Sequence, residues 1–268
     1  MLIDVHAHFY TRESLRSDWH EVNERRLAVG RQLGITAHVA SILGTWGRRS
    51  PTYFPSPEDV RHANDAMLAL MHAHPGLVFG YCVVNPNDTA GALDEIERAA
   101  AAGLVGLKLA ASRRADDRLL DPIVDAAATQ GWPILHHVWQ HRRREWPGQE
   151  ASDGPELAAL AERHPDARFI LAHLAGGGEW RHTLRAVGDA PNISLDLSGS
   201  GVDMDMVHAL LDAVPTSRLL WGTDLTIDTA VARLRYIEAL GLSDGDLERI
   251  RWRNARALFA GVRTDGDH

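Results

Sequence analysis

The stretch Leu2-Ile3-Asp4-Val5-His6-Ala7-His8-Phe9 reads as a short strand that starts almost at the first residue. Side chains two apart on a strand point to the same side, so His6 and His8 face one way, with Asp4 deeper on that face. Two imidazoles side by side at a strand's end are a ready pair of metal ligands. Alone, the pair is weak evidence. The chain has 15 His, and one core and one surface histidine give the same spacing by chance. What the pair means depends on what the rest of the chain brings back to it.

Downstream, short apolar runs alternate with helical patterns. Strands are predicted over 35–43 (ITAHVASIL), 77–84 (LVFGYCVV), 104–109 (LVGLKL), 132–138 (WPILHHV), 168–174 (RFILAHL), 192–197 (NISLDL) and 218–221 (RLLW). Helical patterns fill 12–33, the stretch from Ser56-Pro57 to the stop at His74-Pro75-Gly76, 88–103, 117–130, 155–164, 204–214, 227–240 and 244–260, and another helix follows the Gly176-Gly177-Gly178 loop. Ser56-Pro57-Glu58-Asp59 and Asp88 are helix starts, and Gly103 and Gly131 are stops. Most of the strands are continuous apolar runs, as expected when both faces are buried. Eight strands, each followed by a helix or long loop, predict a parallel sheet closed into a single (β/α)8 TIM barrel over residues 1–262, with a frayed polar tail at 263–268. An open doubly wound sheet would put a Gly-rich turn straight after the first strand, where His-Ala-His-Phe stands instead.

The bulk numbers exclude several classes. Lys plus Arg total 28 against 36 Asp plus Glu, a net charge of −8, which argues against nucleic acid as the main partner. The lone Cys82 forbids a disulfide within the chain and suits a reducing compartment. No apolar run approaches the roughly 20 residues of a membrane span, and no basic-then-apolar signal opens the chain. The expectation is a cytoplasmic protein acting on a small molecule, with homo-oligomerisation left open.

In a parallel barrel the C-terminal strand ends meet at one rim, where active sites are built. The polar residues at those ends are His6 and His8, Lys108, His136 and His137, His173, and Asp224. Closure makes the eighth strand the neighbour of the first, so Asp224 falls beside the His pair. Three His and a carboxylate suit a divalent ion such as Zn²⁺, with a position left for water. On the fifth strand only one of His136 and His137 can face the mouth. His137 lies nearer the C-terminal end and is assigned there, which leaves His136 under a helix.

Five pieces in order, Asp4-Val5-His6-Ala7-His8-Phe9, Gly106-Leu107-Lys108-Leu109, Pro133-Ile134-Leu135-His136-His137, Ile170-Leu171-Ala172-His173-Leu174 and Leu220-Trp221-Gly222-Thr223-Asp224, resemble the amidohydrolase superfamily. More narrowly they resemble amidohydrolase family 2, which includes decarboxylases of the aminocarboxymuconate-semialdehyde type and lactonases. Asn254-Ala255 with Leu258-Phe259 is similar to that family's closing helix. The resemblance implies metal ligation by His6, His8, His137 and Asp224, with His173 assisting the chemistry. The chain is short for this branch. In two-metal relatives a lysine like Lys108 is carboxylated and bridges two ions, but in this branch it usually stays unmodified. One metal is therefore expected, Zn²⁺ first and Mn²⁺ second, with Lys108 and Asp4 supporting the ligands.

The main functional expectation is a hydrolase that turns a metal-activated water on an ester, lactone or amide. Asp224 would accept the water's proton, and His173 would orient the nucleophile or steady the oxyanion. The alternatives are a non-oxidative decarboxylase of an aromatic or muconate-like acid and a catalytically silent metal-binding barrel. Trp46, Arg48, Arg49, Arg113, Arg114, Trp139, His141 and Arg142 follow strands and are candidate substrate contacts, Arg as a carboxylate clamp and Trp as an apolar wall. Asn85, Ser198 and Asp228 are weaker rim candidates. Asp196 reads as a structural polar residue, and His38, His62, His72 and His74 as surface residues.

Overall fold

The computed structural model describes residues 1–14, 16–42, 57–110, 113–137, 152–174, 180–199, 201 and 203–263. Eight strands run in sequence order, β1 (Leu2–His8), β2 (Ile35–Ser41), β3 (Val78–Val83), β4 (Gly106–Leu109), β5 (Pro133–His136), β6 (Arg168–Leu171), β7 (Ile193–Asp196) and β8 (Leu219–Leu220). Each pairs in parallel with the next. Closure comes from the first strand and the chain just past the last. Val5 N donates to Trp221 O at 3.1 Å, Thr223 N and Asp224 N donate to His6 O at 3.1 and 2.6 Å, and Ala7 bridges to Asp224. The sheet is a (β/α)8 TIM barrel, as the alternation predicts.

Helices follow the strands in turn, α1 (Trp19–Gln32), α2 (Pro57–Ala73), α3 (Thr89–Ala101), α4 (Asp121–Thr129), α5 (Gly154–Arg163), α6 (Trp180–Val187), α7 (Met204–Ala213) and α8 (Ile227–Glu238). Their punctuation is chemical. Asp88 caps α3 by accepting from Gly91 N at 3.1 Å, and α5 opens on a reciprocal Asp153–Glu156 capping box. Gly103 and Gly131 take φ of +94° and +68° just past α3 and α4, a conformation that favours glycine. Ser56, the expected cap of α2, lies outside the described residues. No helix among the described residues is long and apolar enough to cross a membrane.

The core has two shells. Ile134, Leu171, Leu195 and Leu219 face the helices, together with Leu27, Met67, Ile96 and Leu157. Ile3, Val5, Val39, Tyr81, Leu135, Ile170 and Leu220 fill the barrel, which the closing segment plugs with Ala255, Phe259 and Val262. The Phe259 ring meets that of Tyr81 edge-on at 5.8 Å. That segment is expected as one helix over 244–260. It is instead α9 (Asp244–Glu248), a π turn at Arg249–Arg253 and α10 (Asn254–Leu258).

One irregularity matters for the site. Between Asp4 and Ala7 the pairing with β2 slips, so three steps along β1 match two from His38 to Ala40. This extra residue is a β-bulge, which re-aims the side chains that follow it. Ile3 and Val5 face the barrel interior, whereas Leu2, Ala7 and Phe9 face the helices. Within the bulge Tyr81 reaches across the lumen and donates its hydroxyl to Val5 O at 2.7 Å.

Candidate metal centre and active site

The bulge brings His6 to the mouth beside His8. Their Nε2 atoms lie 3.1 Å apart, and Asp224 Oδ1 sits 3.8 Å from His6 Nε2 and 3.4 Å from His8 Nε2. Among the described residues these three offer ligand atoms within 4.8 Å of one another. Both rings are buried, and Asp224 is partly open to solvent.

The tautomers follow from the other ring nitrogens. His8 Nδ1 lies 3.0 Å from the Ser41 carbonyl, which can only accept, so it carries the proton. His6 Nδ1 lies 2.7 Å from Asp196 Oδ2 and donates to that carboxylate. Both Nε2 atoms are therefore bare acceptors, aimed at one another and flanked by a carboxylate. Two lone pairs at 3.1 Å repel unless a cation lies against them, and Lys108 Nζ already donates to His6 Nε2 at 3.1 Å. This donor set fits a divalent ion, with orienting partners behind each imidazole.

The electrostatics agree. Burial brings His8 down to about 4, against the pull of Asp224, so the ring is neutral and able to ligate. His6 is driven well below its ordinary value by burial and then by Lys108. Burial pushes Asp224 up, but the fields of His6, His173, His8 and Lys108 outweigh it and bring the carboxyl to about 2. Burial lowers Lys108 to about 8 against Asp224 and Asp196, which leaves it mostly cationic at neutral pH.

Asp196 is the residue that strand reading undervalued. It is fully buried and takes the His6 ring, the Ser198 hydroxyl at 2.5 Å, Ser198 N at 2.9 Å and His173 N at 3.3 Å. Burial raises its carboxyl to about 6 against the Ser198 hydrogen bonds. The available signal was an acid near the end of an apolar run in a parallel barrel, the same signal that marked Asp224. Ser198, expected as a rim contact, lies behind the His6 ring at 3.2 Å from Nδ1.

Asp4 does not share the His6 face. The bulge separates them, and Asp4 points outward to His38 Nδ1 at 2.9 Å and toward Arg26 of α1 at 3.8 Å. It supports the centre through the backbone, accepting from Thr223 N at 3.0 Å, Thr223 Oγ1 at 2.7 Å and His6 N at 3.2 Å. His38, expected on the surface, is completely buried against α1, where a Cβ on Gly30 would meet its Nε2 at 2.8 Å.

Across the barrel, His136 points away from the mouth, with Nε2 at 2.9 Å from Ser152 Oγ. His137 stands against His173, Nδ1 to Nε2 3.0 Å, and the His173 ring stacks on that of His6 with centroids 5.8 Å apart. His137 is outside the three-residue ligand group. His173 and Asp224 both adopt left-handed backbone, φ 40° and 50°. Such backbone costs on the order of 1–3 kcal/mol and clusters where function demands a particular side-chain aim.

The loop candidates fare differently. Arg113 lies 3.7 Å from Asp117, and Arg114 pairs with Asp116 and Glu156. Asn85 accepts from Asn87 N at 3.0 Å, and Asp228 sits in the first turn of α8. Trp46, Arg48, Arg49, Trp139, His141 and Arg142 lie outside the described residues.

A TIM barrel with histidines ending its first strand and an aspartate after its last defines a class of metal-dependent barrel. The chain matches the amidohydrolase family model over residues 3–261 and belongs to that family. It is 23% identical to the gamma-resorcylate decarboxylase of Polaromonas sp. (strain JS666 / ATCC BAA-500), over 96% of this chain and 98% of that one. The barrel superposes on 2,6-dihydroxybenzoate decarboxylase from Rhizobium with a TM-score of 0.72, at 18% identity and 97% and 98% coverage of the two chains. It likewise superposes on a dihydroxybenzoic acid decarboxylase from Polaromonas sp. JS666, crystallised with manganese and the inhibitor 2-nitroresorcinol, with a TM-score of 0.70, at 19% identity and 100% and 99% coverage. These relatives are carboxy-lyases. The expectation of a hydrolase is corrected on that ground; a divalent metal is supported, and zinc in particular is not, since the metal of the matched structure is manganese.

Proposed function

We propose that this protein is a metal-dependent, non-oxidative decarboxylase of a hydroxylated aromatic carboxylic acid. The observation that carries the reading is the pair of bare imidazole acceptors, His6 and His8, facing the Asp224 carboxylate in a family whose matched relatives release CO₂. His6, His8 and Asp224 would hold one divalent ion, with Mn²⁺ the first ion to load, ahead of Zn²⁺; His137, expected among the ligands, is read here as the partner of His173 instead. When bound, such an ion supplies Lewis acidity and charge neutralisation for an oxyanionic substrate.

The chain's own residues supply the rest. Lys108, lowered by burial against the pull of Asp224 and Asp196, donates to His6 Nε2 at 3.1 Å and in its charged form makes the floor of the mouth attractive to an anion. In the reaction the ring carbon that bears the carboxylate takes up one proton. The bond to the carboxyl carbon then breaks, its electron pair returns to the ring, and CO₂ leaves. His173 is placed to pass that proton on, with His137 3.0 Å away; burial lowers both imidazoles, so the proton comes from solvent and crosses the pair without resting on either ring. Asp224, held ionised, acts as ligand and field rather than as acid.

The test is a turnover panel. The protein loaded with Mn²⁺, and in parallel with Zn²⁺, is offered hydroxylated benzoates, aryl esters and lactones, while CO₂ and the ring products are quantified together. CO₂ in one-to-one yield with the decarboxylated phenol is the expected result. Hydrolysis without CO₂, or no turnover by the metal-loaded protein, would overturn it.

A further inference from the structure

Asp224 is the ligand whose geometry depends most on its neighbours, since it lies past the end of β8 and not within the ladder. Its φ of 50° is unusual for a residue with a side chain. Arg26, in the middle of α1, reaches this turn from outside the barrel. Its guanidinium donates to Asp224 O at 2.7 Å, to Thr223 Oγ1, and to Leu225 O at 3.5 Å. Three consecutive residues are thus held by one planar fork. The same group lies 3.8 Å from Asp4, which takes Thr223 N and Oγ1 and is braced by His38. The face of Phe9 lies 5.7 Å from the guanidinium carbon. The side chain is 9% exposed, so a full positive charge is buried here against backbone carbonyls of the turn.

We propose that Arg26 is a positioning residue for the metal centre, clasping the Thr223–Asp224–Leu225 turn so that Asp224 holds the left-handed conformation that turns its carboxylate toward His6 and His8. A helix that merely packed on the barrel would need apolar contacts there. Burying a guanidinium is costly without paired acceptors, and the acceptors it finds belong to this turn. Arg26 therefore acts on Asp224 through the main chain, with Asp4 and Thr223 completing the brace. The inference rests on the metal-centre reading given under Proposed function.

The experiment measures Mn²⁺ affinity of the full chain by electron paramagnetic resonance titration, with thermal melting of the metal-free protein alongside. Wild type should bind Mn²⁺ in a manner lost in the His6→Ala/His8→Ala double variant. Arg26→Ala should bind roughly 10- to 100-fold more weakly, as for other residues that orient metal ligands, and added guanidinium ion should restore part of the affinity. Arg26→Lys keeps the charge beside Asp4 but loses the fork, so its affinity should fall between the two. Thr223→Val, close in shape, tests the same brace if Arg26→Ala does not fold, and it should also weaken Mn²⁺. Wild-type affinity in Arg26→Lys and Thr223→Val overturns the positioning role while leaving the metal centre intact. Absence of any His6- and His8-dependent Mn²⁺ binding in wild type overturns the centre itself, and the positioning role with it.

Discussion

The two sides of the barrel mouth are built on different terms. On the β1, β7 and β8 side, each imidazole has its back nitrogen assigned, His6 to Asp196 and His8 to Ser41 O, and Asp224 is clasped by Arg26 and the β1 backbone. On the β5 and β6 side, His137 and His173 bond to one another, and His173 Nδ1 is buried with no hydrogen-bond partner among the described residues. The first arrangement fixes tautomers, which a ligand set needs. The second couples two imidazoles to one another, the arrangement that a proton relay uses. On the reading proposed above, one mouth separates holding an ion from moving a proton.

Breaking the first side should have the largest effect. His6→Ala with His8→Ala should bring metal content, read by elemental analysis, to background and abolish turnover. A double variant that still retained stoichiometric metal would sink the assignment of that side. Next comes the second side. His173→Asn should lower kcat by about 10²–10⁴-fold, the usual worth of a general acid, with metal content unchanged. Loss of metal in that variant would erase the contrast between the two sides.

Asp196→Asn sharpens the comparison further. It keeps the shape but removes the charge that sets the His6 tautomer, so Mn²⁺ affinity should drop about 10–100-fold. The smallest effect on chemistry should come from Tyr81→Phe. That variant leaves Val5 O without its 2.7 Å donor inside the barrel and should cost about 1–3 kcal/mol in urea unfolding.

Acid stability of the metal-free protein follows from the same burial. His8 and His136 fall from an ordinary 6.5 to about 4 and about 3, so their neutral forms favour the fold above pH 6.5, and that stability is lost as pH falls toward those values. Asp196, raised from 3.8 to about 6, works the opposite way between those two values. Two histidines against one carboxyl predict a melting temperature that falls from pH 6.5 to 4. A flat profile over that range would show that the rings are not held neutral.

Much of this was legible before any coordinates. The eight apolar runs, the family resemblance and the meeting of His6, His8 and Asp224 at one rim all follow from local patterning plus closure. The placements of His136 and His137 on opposite faces of β5 follow from alternation, because that strand pairs without a slip. Alternation misled on β1, where the slip between Asp4 and Ala7 turned Asp4 outward and gave its expected place behind His6 to Asp196.

The sequence by itself determined the barrel and which residue types gather at its rim, because periodicity is a local property and a closed parallel sheet collects its strand ends at one rim. Only the tertiary structure decided which carboxylate orients which imidazole. The Asp196–His6 bond spans 190 residues and the hold of Arg26 on Asp224 spans 198. The left-handed backbones of His173 and Asp224 carry no glycine to announce them. Contacts between distant segments, and strain sustained by them, exist only once the chain has closed on itself.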